Sequence, residues 1–224
     1  MTLNWFQIFR LGLVQMCLGA IVVLTTSTLN RLMAVELSLP AVLPGALVAL
    51  HYGIQISRPA WGFRSDTQGN RTRFIVLGMA VLGAGALLAS YAITVIDAAF
   101  WTGLLLSILA YSLIGLGVSA CGTSLLTLMA KQVPDQKRAQ AATTVWLMMI
   151  MGFAITAGTV GKLIDPYTPE ILLKVSASLS LLTTCITALC LWRLEKPTAQ
   201  VAPENKPTAA DFKQTFKEVW SEPK

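Results

Sequence analysis

The chain has 224 residues, 54% of them hydrophobic and only 12% charged, with a net charge of +6. Soluble domains carry about 25% charged residues; this composition, with mean hydropathy +0.64, excludes an ordinary soluble fold and makes lipid the solvent. The positive charge shows neither aromatic–basic interleaving nor zinc spacing, which argues against a nucleic-acid partner.

A bilayer core about 30 Å thick takes roughly 20 apolar residues per helix, and backbone groups in lipid are satisfied within such a helix. The chain has six apolar stretches, at 11–33, 39–57, 74–96, 99–130, 140–163 and 169–193. It shows none of the alternating strands, about 10 residues each, of a transmembrane barrel. The expected fold is an all-α polytopic membrane protein with six transmembrane helices over residues 1–193.

The first stretch begins near Leu11, lacks a small-residue cleavage site and runs into Asn30 and Arg31; it reads as a retained helix rather than a signal peptide. Asn30, Arg31 and Glu36 form a polar outer end. Arg31 and Glu36 are five apart and share no ideal helix face, although a break at the helix end can bring them together. They read either as a polar site or gate, or as a snorkelling arginine and a loop glutamate.

The second stretch is interrupted by Pro44, His51 and Gln55 and is the least regular span. His51 is the sole histidine. At membrane depth a neutral imidazole can ligate a chlorophyll magnesium, relay protons or hydrogen-bond a neighbouring helix. Antenna polypeptides place an alanine four residues before their ligand histidine, where this chain has Leu47; a packed, hydrogen-bonded histidine is the plainer reading.

The next three spans are rich in glycine: Gly78, Gly83 and Gly85; Gly115, Gly117 and Gly122; Gly152, Gly158 and Gly161. Small residues let helices approach closely in lipid. The fourth span exceeds what a bilayer needs and should tilt or project into water. Cys17, Cys121, Cys185 and Cys190 all fall in spans without metal or disulfide spacing and read as packing residues. Trp5, Phe6, Trp61, Trp101 and Trp192 lie where an aromatic belt is expected.

Residues 194–224 form a polar tail with Pro197, Pro203, Pro207 and Pro223, read as a cytoplasmic linker. In it Phe212, Phe216 and Trp220 recur every four residues, a pattern for a short amphipathic helix on the membrane surface. With both termini cytoplasmic, only Arg31, Lys162 and Lys174 of the 17 basic residues lie outside, as the positive-inside rule requires.

Between the second and third spans, Gly62, Asp66, Gly69 and Arg71 follow the pattern G-x-x-x-D-x-x-G-x-R, with Arg64 and Arg73 nearby. A tight turn needs glycine at its bends. Asp66 can accept from a following helix N-terminus, and the arginines can pair with acidic or phosphate groups. Such a loop can latch one cytoplasmic conformation, or it is simply a basic turn.

This motif resembles the signature of the major facilitator superfamily, and Pro134 to Ala141, with Arg138, resembles that superfamily's P-x-x-x-R-x-x-A element. Leu29 to Leu37, Arg58-Pro59 leading into Gly62-x-Arg64-Ser65-Asp66-Thr67, and Phe212 through Pro223 resemble more specifically its PucC/LhaA branch. The resemblance implies a major-facilitator half, since superfamily members carry two six-helix halves with the substrate site between them. It implies assembly of photosynthetic light-harvesting complexes and handling or delivery of (bacterio)chlorophyll. The partners implied are the lipid bilayer, light-harvesting or reaction-centre subunits, and a second six-helix half or a second copy. The implied location is the cytoplasmic, intracytoplasmic or thylakoid membrane of a phototrophic bacterium. Two rival readings stand: a secondary transporter of a small solute, disfavoured by the shortage of polar groups at membrane depth, and a non-transporting membrane scaffold. The sequence has no Ser-His-Asp set and no Walker A loop; an enzyme is not expected.

Overall fold

A computed structural model describes residues 3–68 and 70–194. The expected amphipathic helix around Phe212, Phe216 and Trp220 lies outside the described residues. Among the described residues every regular element is helical, and the protein is an all-α, polytopic integral membrane protein.

Helix α1 spans Trp5–Glu36. It starts earlier than the apolar pattern indicates because Asn4 and Gln7 form a capping box at its N-terminus, which satisfies two otherwise unpaired backbone N–H groups. Its outer half holds two π-helical segments, Leu24–Thr28 and Leu32–Glu36, separated by Leu29–Arg31. The cause of the first is local. In the run Leu24-Thr25-Thr26-Ser27-Thr28, the Thr25 and Thr26 hydroxyls donate to the carbonyls of Ile21 and Val22. These hydroxyls compete with the backbone ladder and loosen it. The Tyr111 hydroxyl then donates to the Thr25 carbonyl at 2.8 Å.

The second expected span, 39–57, is a jointed helical unit that continues past its expected end. It comprises α2, Val42–Ile54, a 3₁₀ turn at Gln55–Ser57, and α3, Arg58–Gln68. Thirteen α-helical residues rise only about 20 Å, short of the hydrocarbon thickness. Five helices are long and apolar enough to cross a membrane, and the composite α2–α3 unit stands where the sixth was expected. The remaining helices are α4 (Arg71–Ile96), α5 (Phe100–Gln132), α6 (Asp135–Leu163) and α7 (Pro169–Leu191). The expected loop around Pro134–Ala141 is largely the first two turns of α6, with Pro134 at its N-cap.

Helices α4 and α5 form the most closely packed pair. A Cβ at Gly78 would lie 2.5 Å from the Cys121 backbone nitrogen, and one at Gly117 would lie 2.6 Å from that of Leu82; only glycine admits this backbone-to-backbone approach. Helix α1 sits innermost, seated on α6 and α7. On the α6 side, Gly12, Gly19 and Gly152 receive Met148, Met149 and Met16. Helix α7 also packs on α4, and α2 and α3 rest on α5. The buried face of α2 is the stripe Pro44, Leu47 and His51, spaced as one helical face. The bundle end carrying Glu36, Asp97 and Tyr167 is called the outer end below; Arg10, Arg58 and Arg138 lie at the other.

Candidate functional site

The inner-end site grows from the buried stripe of α2. His51 is 1% exposed, and its Nε2 lies 2.9 Å from the Gln55 amide nitrogen. An amide N–H can only donate, so Nε2 is the accepting nitrogen. The Arg58 guanidinium donates to the Gln55 carbonyl oxygen, which fixes the amide orientation. His51, Gln55 and Arg58 thus form a file from the bundle interior to its inner end. Nδ1 of His51 is buried without a partner among the described residues. As packed, His51 offers no nitrogen to an outside ligand: one is taken and the ring is sealed.

The file leads into α3, which carries the latch motif. Gly62 lies inside α3 rather than at a bend; the expected turn geometry is corrected there. An added Cβ would meet the Thr123 methyl at 3.4 Å, an ordinary contact, so α3 faces α5 here without requiring glycine. The Ser65 hydroxyl donates to the Gly62 carbonyl. The Arg64 guanidinium lies 5.8 Å from the Trp61 ring centre, within cation–π range, and Trp61 meets Phe74 edge to face. Asp66 belongs to α3, and Gly69 lies outside the described residues. The following helix is capped by Asn70, whose side chain accepts from the Arg73 N–H. Arg71 is buried at the start of α4.

At the outer end, Arg31 and Glu36 approach to 4.0 Å. Their spacing of five, awkward for an α-helix, suits the wider i→i+5 turn of the π segment Leu32–Glu36. Both side chains are substantially exposed, so the pair itself contributes little stability. Tyr167 stands in the α6–α7 loop. Partial burial raises its phenol above the ordinary range, and the negative charges of Glu36 and Asp97 add to that rise. Three segments distant in sequence therefore meet at this end. Asn30 sits half-buried on the same helix end.

Arg10 and Arg138 have structural roles at the inner end. Arg10 donates from Nε to the Cys190 carbonyl and from Nη2 to the Trp192 carbonyl, both at 2.7 Å, and so caps the C-terminus of α7. Arg138 donates to the Val133 carbonyl at 3.3 Å and pairs with Asp135 at 2.9 Å, which joins the end of α5 to the start of α6. A basic residue opposite a helix C-terminus is a signal for the Arg10 contact, but nothing local shows which helix it would meet.

The chain is similar to proteins of Rhodobacter capsulatus and Cereibacter sphaeroides. It is 59% identical over 223 residues to the bacteriochlorophyll synthase 44.5 kDa chain of Rhodobacter capsulatus, an alignment covering 100% of this chain and 52% of that protein. It is 27% identical over 224 residues to Protein PucC of Cereibacter sphaeroides, covering 94% of this chain and 49% of the relative. A Protein PucC from Rhodobacter capsulatus is 29% identical over 201 residues, 84% of this chain and 44% of the relative. The chain thus spans about half the length of the curated relatives it matches. No solved structure matches it. The expectation that the chain is not an enzyme is overturned by the first relative's name, which points to an enzyme-associated role. The family model described as PUCC protein matches residues 28–224, and the chain belongs to that family.

Proposed function

We propose that this chain serves the assembly of photosynthetic light-harvesting complexes, handling bacteriochlorophyll beside the enzymes that make it while antenna subunits insert. The observation that carries the reading is the 59% identity, along the whole chain, to a protein named as a bacteriochlorophyll synthase chain. The interior supports it against a solute transporter. Among the described residues the buried polar groups are Ser, Thr, Gln, His51 and Arg71, with no buried carboxylate or lysine, whereas intramembrane ionisable groups mark ion and proton pathways. The outward faces are apolar and hold Trp101, Trp146 and Trp192, suited to lipid and to hydrophobic helices of antenna or reaction-centre subunits.

Both termini face the cytoplasm in this proposal, and a second membrane domain, either the relatives' remaining length or another copy, completes a major-facilitator-like pair. The segment from Gly62 through Arg64, Asp66, Gly69 and Arg71 latches the inner face, and Asn30, Arg31 and Glu36 shape the outer one. Asp66→Asn then leaves the protein inserted but lowers the yield of assembled antenna; wild-type yield would remove the latch.

The test of the main reading is an absorption spectrum of the full chain purified in mild detergent from its native membranes. Stoichiometric bacteriochlorophyll bands are expected, and a colourless protein refutes pigment handling. Because His51 is sealed and bonded to Gln55, the bands should survive His51→Ala; their loss there would make His51 the magnesium ligand.

A further inference from the structure

An open groove of about 600 Å³ runs along the outer half of the α4–α7 seam. Ala84, Leu87 and Tyr91 line it from α4, and Leu173, Lys174 and Ala177 from α7. Its surface is almost entirely carbon. Ala84 and Ala177 make the notch, where larger residues would close it, and Leu87 and Leu173 wall it. Tyr91 and Lys174 each lie five residues from the outer end of their helices, roughly 7 Å along the axis. Ala84 lies roughly 10 Å deeper. The groove therefore begins near the outer interface and descends into hydrocarbon.

The seam beneath is fastened by hydroxyl contacts. Ser90 and Ser176 hydroxyls meet at 2.7 Å, and Ser180 donates to the Gly83 carbonyl at 3.0 Å. Those residues are buried, and a Cβ at Gly83 would already touch Ser180 at 3.1 Å. The helices are held at a fixed spacing, so the notch does not depend on side-chain motion.

Charge at the rim selects the head of the occupant. Lys174 pairs with Glu170 at 3.5 Å, both side chains being more than three-quarters exposed. An anionic phosphate or free carboxylate at Lys174 would also meet the Glu170 charge. A neutral ester carbonyl would not, and Lys174 has three N–H donors, with the Tyr91 hydroxyl beside the same groove. The rim is neutral in sum and rich in donors; the floor is hydrocarbon.

We propose that this groove holds the esterified hydrocarbon tail of bacteriochlorophyll, with the ester carbonyl at Lys174 and Tyr91 and the chain lying over Ala84 and Ala177. This rests on the reading of the chain as a pigment-handling protein. The macrocycle then stands at the outer interface, outside the bundle.

The test uses the purified full chain in mild detergent, wild type and Ala84→Phe. Ala84 is exposed toward lipid, so the variant should keep the wild-type melting curve. Three neutral or tail-less probes are compared: bacteriochlorophyll, bacteriochlorophyllide and phytyl acetate. Pigment is read by absorption stoichiometry, and phytyl acetate by native mass spectrometry. Wild type should hold bacteriochlorophyll and phytyl acetate, and bind bacteriochlorophyllide about tenfold more weakly, equivalent to ~1.4 kcal/mol. Ala84→Phe should lose both tailed probes. If pigment binds equally well without its tail, or equally to Ala84→Phe, the groove inference falls while pigment handling stands. If phytyl acetate binds to wild type but not to Ala84→Phe and no pigment binds, the groove stands and the pigment reading falls. If neither binds, both fall. Binding of phosphatidylglycerol as strong as that of phytyl acetate overturns the selection of a neutral head.

Discussion

Replacing Gly78 with alanine tests the closest contact in the bundle. The added methyl would lie 2.5 Å from the backbone nitrogen of Cys121 and 3.0 Å from its Cα, where ordinary contact begins at 3.4 Å. Those atoms are backbone and cannot swing aside, so α4 and α5 must part by about 0.9 Å, enough to disturb a close-packed seam. Overpacking of this kind costs about 1–3 kcal/mol. Alanine recovers about 1 kcal/mol of helix propensity, which leaves a net loss of roughly 2 kcal/mol at the unyielding end of the range. For a chain of this size that lowers the melting temperature by roughly 4–8 °C. The assay is a thermal melt in mild detergent, with Gly158→Ala as control, because a Cβ at Gly158 meets nothing within 4 Å. The control should melt at or slightly above wild type. If Gly78→Ala and Gly158→Ala melt together, the helices are not held apart by that contact and the packing argument is refuted.

Tyr111→Phe leaves the Thr25 carbonyl in the π segment without its donor; hydrogen bonds between membrane helices contribute about 0.6–1.7 kcal/mol, and a melt lowered to match, with faster amide exchange around residues 24–28, is expected. Arg10→Met removes two charge-assisted bonds to the end of α7 and should cost roughly 1.5–3 kcal/mol, with faster protease cleavage near Trp192. Tyr167 has a phenol raised by burial and by Glu36 and Asp97. Its contribution is fully present below the ordinary tyrosine value of about 10 and is lost as pH rises through the higher folded value. Stability in alkaline titration should therefore fall as pH rises from about 10 towards that higher value, and Tyr167→Phe should flatten the fall.

The apolar runs at 74–96, 99–130 and 169–193 were legible because lipid demands length and uninterrupted hydrophobicity, and the corresponding helices are α4, α5 and α7. Helix ends were less so. The capping pair Asn4 and Gln7 and the N-cap Pro134 act through one or two bonds, which a hydropathy pattern does not register. In the second span Pro44 and His51 lie on the buried side of α2, while Gln55 stands at the 3₁₀ turn that ends it and bonds back to His51, a joint that hydropathy does not register. The Gly62 motif suggested a turn, since glycine favours bends, but Gly62 lies inside α3, whose helical run continues to Gln68. The pairing of Arg31 with Glu36 needed a helix wound more widely than hydropathy reveals. Tyr167 and Asp97 could not be joined to Glu36 from sequence, because each lies in a different connecting segment.

The hold of Arg10 on Cys190 and Trp192 joins positions 180 and 182 residues apart. A ribosome makes the arginine long before its acceptors. During synthesis the first helix therefore enters the membrane with an unspent cation at one boundary. Only when α7 arrives does that cation find two carbonyls. One side chain is thus unpaired early and late becomes the clasp between α1 and α7, so a nascent chain cut before Cys190 would lack that closure.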